Sequence, residues 1–427
     1  MREMKDSGIE WIGEIPQTWS VQKLKYTLVQ RVQKNTPIKS EDILSLTAKQ
    51  GVVPYSEKEG VGGNKPKENL SSYNLAYPKD IVMNSMNVIS GSVGLSNYFG
   101  CVSPVYYMFY SFIHDTRFFN YVFQTTVFQR SLLGLGNGIL MKESENGKFN
   151  TVRMRIPIDR LGQIFLPLCN TCEQQKIADF LDEKCAEIDA LTSDIQTQIE
   201  TLEEYKKSVI TEAVTKGLDP NVEMKDSGIE WCGSIPRNWE IIKGKYILKY
   251  LQKPVKKEDD VITCFRDGEV TLRKNRREDG FTMSDKEIGY QGVDVGDLVV
   301  HGMDGFAGAI GISDSRGKAS PVLNILDSSM MKKYIMYYLR SMAYGNVFTA
   351  IATGIRVRSC DLRWNKLANL PYPIPPYEEQ LKIADFIDEK CSEIDLTISE
   401  KQQQLETLAE YKKSLIYEYV TGKREVA

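Results

Sequence analysis

Histidine is almost absent from this chain of 427 residues, which contains only His114 and His301. Two histidines leave little material for imidazole-based acid–base catalysis or metal binding. The eight cysteines form no dense framework, so we expect free thiols in a reducing compartment. The longest uncharged run, 81–113, is interrupted by Asn, Gly and Pro, and it predicts no membrane span. The opening MREMKDSGIEW is polar and predicts no secretory signal, so we expect a soluble cytoplasmic protein.

The chain contains two copies of one pattern. Segments 4–19 (MKDSGIEWIGEIPQTW) and 224–239 (MKDSGIEWCGSIPRNW) are identical at 12 of 16 positions. Segments 173–189 and 379–395 are identical at 14 of 17 positions. A fixed order of repeated segments indicates a duplication. Each copy therefore consists of a Trp-containing segment, a central region and a long helical segment.

The two central regions, which we call the first head (20–165) and the second head (240–369), have diverged strongly. They nevertheless share glycines at fixed spacing, which are typical of turns between strands. We therefore predict the same α/β domain twice, with different surface residues. The shared positions are Asp80, Met86, Gly91, Gly94, Ser96, Gly100, Ser103, Pro104 and Val105, aligned without gaps on Asp297, Met303, Gly308, Gly311, Ser313, Gly317, Ser320, Pro321 and Val322.

The helical segments have apolar residues every seven positions, which favours a coiled coil. At a rise of about 1.5 Å per residue, segment 173–215 would be about 65 Å long. If a pseudo-two-fold axis relates the copies, the helices are antiparallel and the chain termini lie close together; the alternative is that each helix packs only on its own head. The predicted seam positions are Leu181, Ile188, Ile195, Leu202 and Val209 in the first helix and Ile387, Ile394, Leu408 and Leu415 in the second.

Charge is distributed unevenly along the chain, although the total is only −3. The first head carries 17 basic and 10 acidic residues, and the second carries 21 and 16. The helical segments 173–217 and 378–427 carry net charges of −6 and −5. Two basic heads on acidic helices favour a nucleic-acid-binding protein with two binding domains.

Three short motifs suggest chemistry but lack the residues that it requires. Cys169 and Cys172 have zinc spacing without a second pair, so we interpret them as ordinary thiols. Segment 134–138 (GLGNG) lacks the context of a nucleotide-binding loop. Segment 374–377 (IPPY) resembles an amino-methyltransferase motif, but Ile374 offers no acceptor for an exocyclic amine. The sequence thus contains no complete catalytic motif.

The doubled SGIEW-x-G-x-IP-x-x-W openings and the doubled EQ-x-KIADF-x-DEKC-x-EID segments resemble the specificity subunits of type I restriction–modification systems. The segment PIPPYEEQ (373–380) is also typical of that family, whereas the first copy has Pro167-Leu168-Cys169-Asn170 in its place. The resemblance spans the whole chain. It implies an α+β protein in which two target recognition domains are joined by two long helices that form an antiparallel coiled coil.

The resemblance also implies a function. Each head would read one half of a bipartite, asymmetric site in double-stranded DNA, and the helices would set the spacing and bind two modification (methyltransferase) subunits. S-adenosylmethionine would bind to those subunits, and ATP and Mg²⁺ to restriction subunits, in a complex that methylates DNA and defends against phage. This chain would hold no cofactor or metal and catalyse nothing. Two different readers suit a non-palindromic site, since a dimer of one reader requires a palindrome.

Three alternatives remain open at this stage. The chain could be a stand-alone methyltransferase, a purely structural coiled-coil adaptor, or a free-standing DNA-binding protein or specificity subunit of a related non-type-I system. The domains that we predict are the first target recognition domain with its Trp-containing segment (1–172), the first long helix (173–217), the linker with the second target recognition domain (218–377) and the second long helix (378–427).

The predicted DNA contacts are basic or amide side chains in the heads, because such groups bind phosphates and base edges. In the first head they are Lys65, Lys67, Asn137 and Arg153, and in the second they are Arg273, Lys274, Arg276, Arg277, Arg356 and Arg358.

Overall fold

The structure of the chain is a computed structural model. It contains two compact units, of which the first comprises Met1–Ile195 with Gln403–Ala427 and the second Gln196–Gln402. Each unit thus combines one head with parts of both long helices. The domain boundaries given above follow the chain instead, and they remain a prediction. The structure describes residues 2–47, 50–58, 66–86, 91–136, 155–276, 288–350 and 362–426.

The first copy begins with short strands, continues into a mixed head and ends in a long helix. Its elements are β1 (Met4–Asp6), β2 (Glu14–Pro16), β3 (Ser20–Lys23), α1 (Leu24–Thr27), β4 (Val29–Arg31), β5 (Leu44–Thr47), β6 (Gly51–Pro54), β7 (Asn74–Ala76), β8 (Ile81–Asn84), β9 (Val93–Leu95), β10 (Gly100–Val102), β11 (Tyr106–Tyr110), α2 (Thr116–Gln124), α3 (Thr126–Ser131), α4 (Ile158–Leu161), β12 (Phe165–Leu168) and α5 (Thr171–Lys216).

The second copy has the same types of element in the same order. They are β13 (Met224–Asp226), β14 (Ser234–Pro236), β15 (Glu240–Lys243), α6 (Gly244–Ile247), β16 (Leu248–Tyr250), β17 (Ile262–Cys264), β18 (Val270–Leu272), β19 (Gln291–Val293), β20 (Leu298–His301), β21 (Ile310–Ile312), β22 (Gly317–Ala319), β23 (Leu323–Ser328), α7 (Lys332–Tyr344), α8 (Val347–Ala350), α9 (Trp364–Asn369), β24 (Pro371–Ile374) and α10 (Tyr377–Val420).

Sheet topology also repeats between the copies. The first head has an antiparallel four-stranded sheet in the order β4-β11-β8-β9, and the second has β16-β23-β20-β21. Each head adds the same small pairings, β5 with β6 and β7 with β10 in the first, β17 with β18 and β19 with β22 in the second. The predicted α+β fold with two similar heads and two long helices is confirmed.

The central strand of each sheet is apolar on both faces because both faces are covered. In β8, Ile81 and Met83 pack in the core that contains α2, while Val82 packs in a smaller core under the β5–β6 hairpin. In β20, Leu298 and Val299 are divided between two cores in the same way. A strand buried on both sides has a continuous apolar sequence instead of an alternating one. This accounts for the apolar start of the uncharged run 81–113.

The long helices are antiparallel within each unit, because partner numbers on α10 fall as those on α5 rise. Both helices also pack on the heads, since Leu181 and Ile387 belong to the same apolar cores as head residues. The prediction of antiparallel pairing is confirmed, and packing on the heads occurs as well. The contacts that define the direction are Phe180 with Tyr419 and Asp189 with Lys412 in the first unit, and Gln198 with Lys401 and Lys206 with Asp395 in the second.

The seam positions are buried to different degrees. Leu181, Ile188 and Ile195 of α5 and Ile387, Ile394 and Leu415 of α10 are buried, whereas Leu202, Val209 and Leu408 are half-buried. On α5 the buried line continues instead through Ile199 and Ile210. A straight helix drifts by about 20° per heptad from a strict seven-residue repeat. Positions spaced by seven therefore leave the buried face after a few turns.

Each Trp-containing segment packs against the end of a long helix. Trp19 and Trp239 are fully buried, and the adjacent helices are followed by Gly422, two residues after α10, and Gly217, directly after α5, with φ of 73° and 75°. A Cβ atom at these glycines would lie 3.2 Å from the Trp19 ring and 3.3 Å from the Trp239 ring. Only glycine combines left-handed backbone with so close an approach. The tryptophan that is present in both copies therefore packs against the end of a long helix in each unit.

The two ends of the chain meet in the first unit. Arg2 Nη2 lies 3.0 Å from a Glu425 carboxylate oxygen, and Arg2 Nη1 lies 2.5 Å from Glu173. The counterpart of Glu173 in the second copy, Glu379, instead accepts a hydrogen bond from Trp239 Nε1 at 3.1 Å. The predicted proximity of the termini is confirmed.

A circular permutant that joins residue 427 to residue 1 through a short flexible linker and opens the chain near Pro220 is expected to fold. The new ends would lie in an exposed connection, where such changes are tolerated. We expect a native far-UV circular dichroism spectrum and a melting temperature within a few degrees of the parent. A control opened inside β20 should fail to fold. Aggregation of the first permutant, or folding of both, would contradict the arrangement.

Candidate nucleic-acid interface

In each head a β-hairpin leads into a short 3₁₀ turn. The turn Tyr55–Glu57 follows β6, and the turn Arg273–Asn275 follows β18; we call these the hairpin turns. The first N–H of each turn donates to the residue just before the hairpin, Ile43 or Val261, at 2.8 Å in both heads. The same backbone hydrogen bond thus places different side chains at an equivalent site in the two heads.

The hairpin turn of the first head forms one wall of a cleft of about 410 Å³. Lys58 and the predicted Lys67 line the cleft together with Tyr55, Tyr106 and Asn84. Burial raises the pKa of Tyr106, so its hydroxyl remains protonated at neutral pH. Ammonium groups suit phosphates, and hydroxyl and amide groups suit base edges. The cleft therefore has the donors and acceptors that nucleic-acid binding requires.

Arg276 closes the hairpin turn of the second head in a fixed orientation. Its Nη1 lies 2.6 Å from Asp267 and 3.1 Å from Glu269, and its guanidinium lies 4.3 Å from the centre of the Phe265 ring. A guanidinium held by carboxylates at one nitrogen and stacked on a ring keeps little rotamer freedom. Because Nη1 is paired with two carboxylates, a bidentate contact with a guanine or a phosphate would use Nε and Nη2 of the fork.

Arg273 and Lys274 occupy the same turn. Arg273 Nε lies 3.4 Å from Thr263 Oγ1, and Lys274 Nζ lies 2.5 Å from Asp260. The hydrogen bond from Lys274 lowers the pKa of the exposed Asp260 carboxyl. DNA phosphates would compete with this carboxylate for the ammonium, so Lys274 adds less to DNA affinity than an unpaired lysine would.

Four of the predicted DNA-binding residues, Lys67, Arg273, Lys274 and Arg276, thus lie on or beside the hairpin-turn edge of their heads. The other six fall outside the residues that the structure describes, and their roles remain predictions. They are Lys65, Asn137, Arg153, Arg277, Arg356 and Arg358.

Two of the segments that carry those six residues, 137–154 and 351–361, are followed by equivalent anchors. The Ile156 N–H donates to the carbonyl of Ser85 at 2.9 Å, and the Leu362 N–H donates to Gly302 at 2.9 Å. Ser85 and Gly302 follow β8 and β20 directly, next to the cleft residue Asn84 in the first head. The chain therefore leaves both segments at the same edge of each head.

Sequence reasoning missed Tyr55 and Lys58, which take the places of Arg273 and Arg276. The correspondence has an offset of 218, whereas the Trp-containing segments align at 220 and the shared glycines at 217. The correspondence between the two turns is seen only in their backbone hydrogen bonds. The N–H groups of Lys58 and Arg276 each donate to the carbonyl of the first residue of their turn.

Asp80, one of the shared head residues, has a structural role. Its carboxylate is buried and accepts two hydrogen bonds from Arg31, at 2.7 and 3.0 Å. The Arg31 guanidinium lies 4.4 Å from the Tyr77 ring centre and 4.3 Å from that of Tyr110. The hydrogen bond to Asp80 raises the pKa of Arg31, so the guanidinium remains charged.

Its counterpart Asp297 is buried in the second head and binds Lys253 at 2.7 Å. Lys253 also binds Asp294, and this hydrogen bond, together with one from Arg316, lowers the pKa of Asp294 to about 2. Both heads thus fix the same corner of the sheet with a buried aspartate, but with a different cation. The need to stabilise the fold therefore accounts for the presence of this aspartate in both copies.

The described ranges contain no group of three or more His, Cys, Asp or Glu side chains arranged to hold a metal ion. Among the helices in those ranges, none is both long and apolar enough to cross a lipid bilayer.

Fold and interface together define a class of protein: a duplicated α+β protein with two heads of one topology, which present different side chains at equivalent hairpin turns. No protein-family model matches the chain. It is 27% identical over 281 residues to the type I restriction enzyme MjaVIII specificity subunit of Methanocaldococcus jannaschii. That match covers 62% of this chain and 63% of the relative, less than two thirds of its length.

Solved structures share the fold across nearly the whole chain. A chain from a structure of a type I R-M system, solved to study its assembly and conformational transition, has a TM-score of 0.68 at 12% identity and covers 96% of this chain and 99% of its own. The HsdS subunit from Thermoanaerobacter tengcongensis has a TM-score of 0.51 at 13% identity, with 96% and 98% covered. The chain is thus similar in sequence to type I specificity subunits and shares the fold of an HsdS subunit, and the resemblance found in its sequence is confirmed.

Proposed function

We propose that this chain is the DNA sequence-specificity subunit of a type I restriction–modification complex. Each head reads one half of a bipartite, asymmetric site in double-stranded DNA. The observation that supports this proposal is the pair of equivalent hairpin turns. They present Tyr55 and Lys58 in the first head and Arg273 and Arg276 in the second. One backbone with two sets of side chains is what two readers of different sequences need.

The division of contacts follows from the chemistry of DNA. Phosphates are the same at every base pair, so phosphate contacts position a protein without reading sequence. Base edges differ, and a bidentate arginine distinguishes guanine in the major groove. Arg276, already oriented by Asp267 and Phe265, suits base reading. Lys58 and Lys67 suit phosphates beside the cleft of the first head.

The partners in this proposal are DNA, two modification subunits and restriction subunits, and the compartment is the cytoplasm. The antiparallel helices set the distance between half-sites and bind the modification subunits. S-adenosylmethionine acts in those subunits, and ATP with Mg²⁺ in the restriction subunits. This chain contributes recognition without catalysis, a cofactor or a metal of its own.

The test is single-molecule methylation sequencing of DNA from cells that express this chain together with a modification subunit encoded by a neighbouring gene. We expect a new methylated motif made of two short, different half-sites separated by a fixed gap. Cells that express the modification subunit alone are the control and should lack the motif. A single palindromic motif, or none in the presence of an active modification subunit, would refute the proposal.

A further inference from the structure

Because the chain is duplicated, its two copies can be compared with each other. A residue that is the same in both copies is expected to have the same role in both. For many kept residues that reason is internal. Asp6 and Asp226 each accept the N–H of a glycine two residues later. Asp189 and Asp395 each bind a lysine of the opposite long helix. Kept residues that are exposed and lack an internal reason point instead to a shared partner.

Such residues occur at the start of the first short helix of each copy. The sequence Lys-x-Lys-Tyr appears as KLKY at 23–26 and as KGKY at 243–246. Tyr26 is 67% exposed and Tyr246 is 70% exposed. Among the described residues, neither tyrosine hydroxyl has a hydrogen-bond partner. We call the pairs Lys25 with Tyr26 and Lys245 with Tyr246 the lysine–tyrosine patches. Lys23 is also kept, as Lys243, but it donates a hydrogen bond to Gln163 Oε1 at 2.9 Å and so has a partner inside its own head.

The geometry of the two patches is the same. Lys25 Nζ lies 4.8 Å from the Tyr26 ring centre, and Lys245 Nζ lies 4.9 Å from that of Tyr246. An ammonium over a tyrosine ring is held by cation–π attraction. Each patch therefore presents a partly ordered, positively charged aromatic surface.

Two of the buried neighbours of the patches have changed, whereas a third, Leu28 and Leu248, is kept. Leu24 is replaced by Gly244, and Thr27 by Ile247, although all four are buried. A Cβ atom at Gly244 would lie only 2.3 Å from the carbonyl oxygen of Leu367, so the interior of the second copy has been rebuilt. Duplicates usually diverge on the surface and keep the interior, because the interior determines packing. The exposed lysine and tyrosine are thus kept although part of the buried layer beneath them is not, which indicates selection on these two exposed residues.

In the first head, the patch and the candidate nucleic-acid interface lie beside opposite ends of the strand β11. Tyr26 precedes β4, whose Val29 pairs with Tyr110 at the C-terminal end of β11. The cleft is lined by Tyr106, at the opposite end of that strand. In the second head, Leu248 after Tyr246 pairs with Ser328, at the C-terminal end of β23. The patches are therefore placed to contact something other than the bases that the heads read.

Resting on the function proposed above, we infer that each lysine–tyrosine patch docks one modification subunit through an acidic surface of that subunit. Two identical patches fit two copies of one partner, whatever sequence each head reads. An ammonium group held over an exposed ring complements carboxylates, and tyrosine is among the residues that dominate binding energy at protein interfaces.

The experiment measures the composition of the complex by native mass spectrometry, with the neighbouring modification subunit in excess. The parent chain should bind two copies, and K25E/Y26A and K245E/Y246A should each bind one. The combined variant should bind none at a concentration that saturates the parent, a loss of affinity of at least tenfold at each site. The matched control is K257E/Y98A, which changes an exposed lysine and an exposed tyrosine outside the long helices, whose counterparts are Pro37 and Ser315.

Circular dichroism establishes that each variant is folded, and fluorescence anisotropy with a duplex containing the methylated motif measures DNA affinity. The inference predicts unchanged DNA affinity of the combined variant in the absence of modification subunits. A combined variant that still binds two copies would overturn the inference, and weaker DNA binding in that variant would assign the patches to phosphates instead. A parent chain that binds no modification subunit would refute the proposed function and the inference with it.

Discussion

Replacing Asp80 with alanine is expected to destabilise the first head by about 3 kcal/mol. The substitution removes both acceptors of Arg31 and the acceptor of the Tyr77 N–H, which lies 3.0 Å from Asp80 Oδ2. The guanidinium would remain between two tyrosine rings without its counter-ion. Breaking a buried pair from one side costs more than removing both partners, because a charge is left uncompensated. Urea denaturation followed by circular dichroism measures the change.

Two further variants make this prediction specific. Asp159→Ala removes an exposed carboxylate from the same head and should change stability by less than about 0.5 kcal/mol. D80A/R31M removes both charges and should recover a large part of the stability lost in Asp80→Ala. A double variant as unstable as the single one would show that the ion pair is not the reason for the retention of Asp80.

Much of the fold could be predicted because the duplication doubles each signal. The Trp-containing segments are identical at 12 of 16 positions and the first parts of the long helices at 14 of 17, so their residues were expected to make the same contacts in both copies. The end of the second long helix, near Val420, could be placed beside the N-terminal segment before any coordinates, because a pseudo-two-fold axis makes the two helices antiparallel. The seam was harder to predict at Leu202 and Val209, because a seven-residue pattern ignores the drift of a straight helix.

For the heads, the sequence predicted the same α/β domain twice but not the individual strands. Their strands have three to six residues, and elements so short have weak periodicity. The offset between the copies changes from 220 to 217 around the hairpins, so Tyr55 and Arg273 do not align in the sequence. Charge singled out Arg273, Lys274 and Arg276, but it does not reveal that Arg276 is held by Asp267 and Phe265.

The correspondence of the hairpin turns predicts a change in specificity confined to one half-site. The variant R273Y/R276K gives the second head the residues that the first head has at these positions, Tyr55 and Lys58. It removes both guanidiniums and therefore the bidentate contacts, each worth about 1–3 kcal/mol of discrimination against a wrong base. We expect the half-site read by the second head to change or to become degenerate, with tenfold or greater loss at one or more positions. The half-site read by the first head should be unchanged.

Methylation sequencing in cells provides the measurement, because the two half-sites appear in the same motif. The matched control is Arg237→Ala, which removes an exposed arginine that pairs with Glu223 in the Trp-containing segment, outside the second head. That variant should leave the whole motif unchanged. If R273Y/R276K methylated the parental motif as efficiently as the parent, the hairpin turn would not read bases. Loss of both half-sites together would mean that the turn supports folding or assembly instead of recognition by one head.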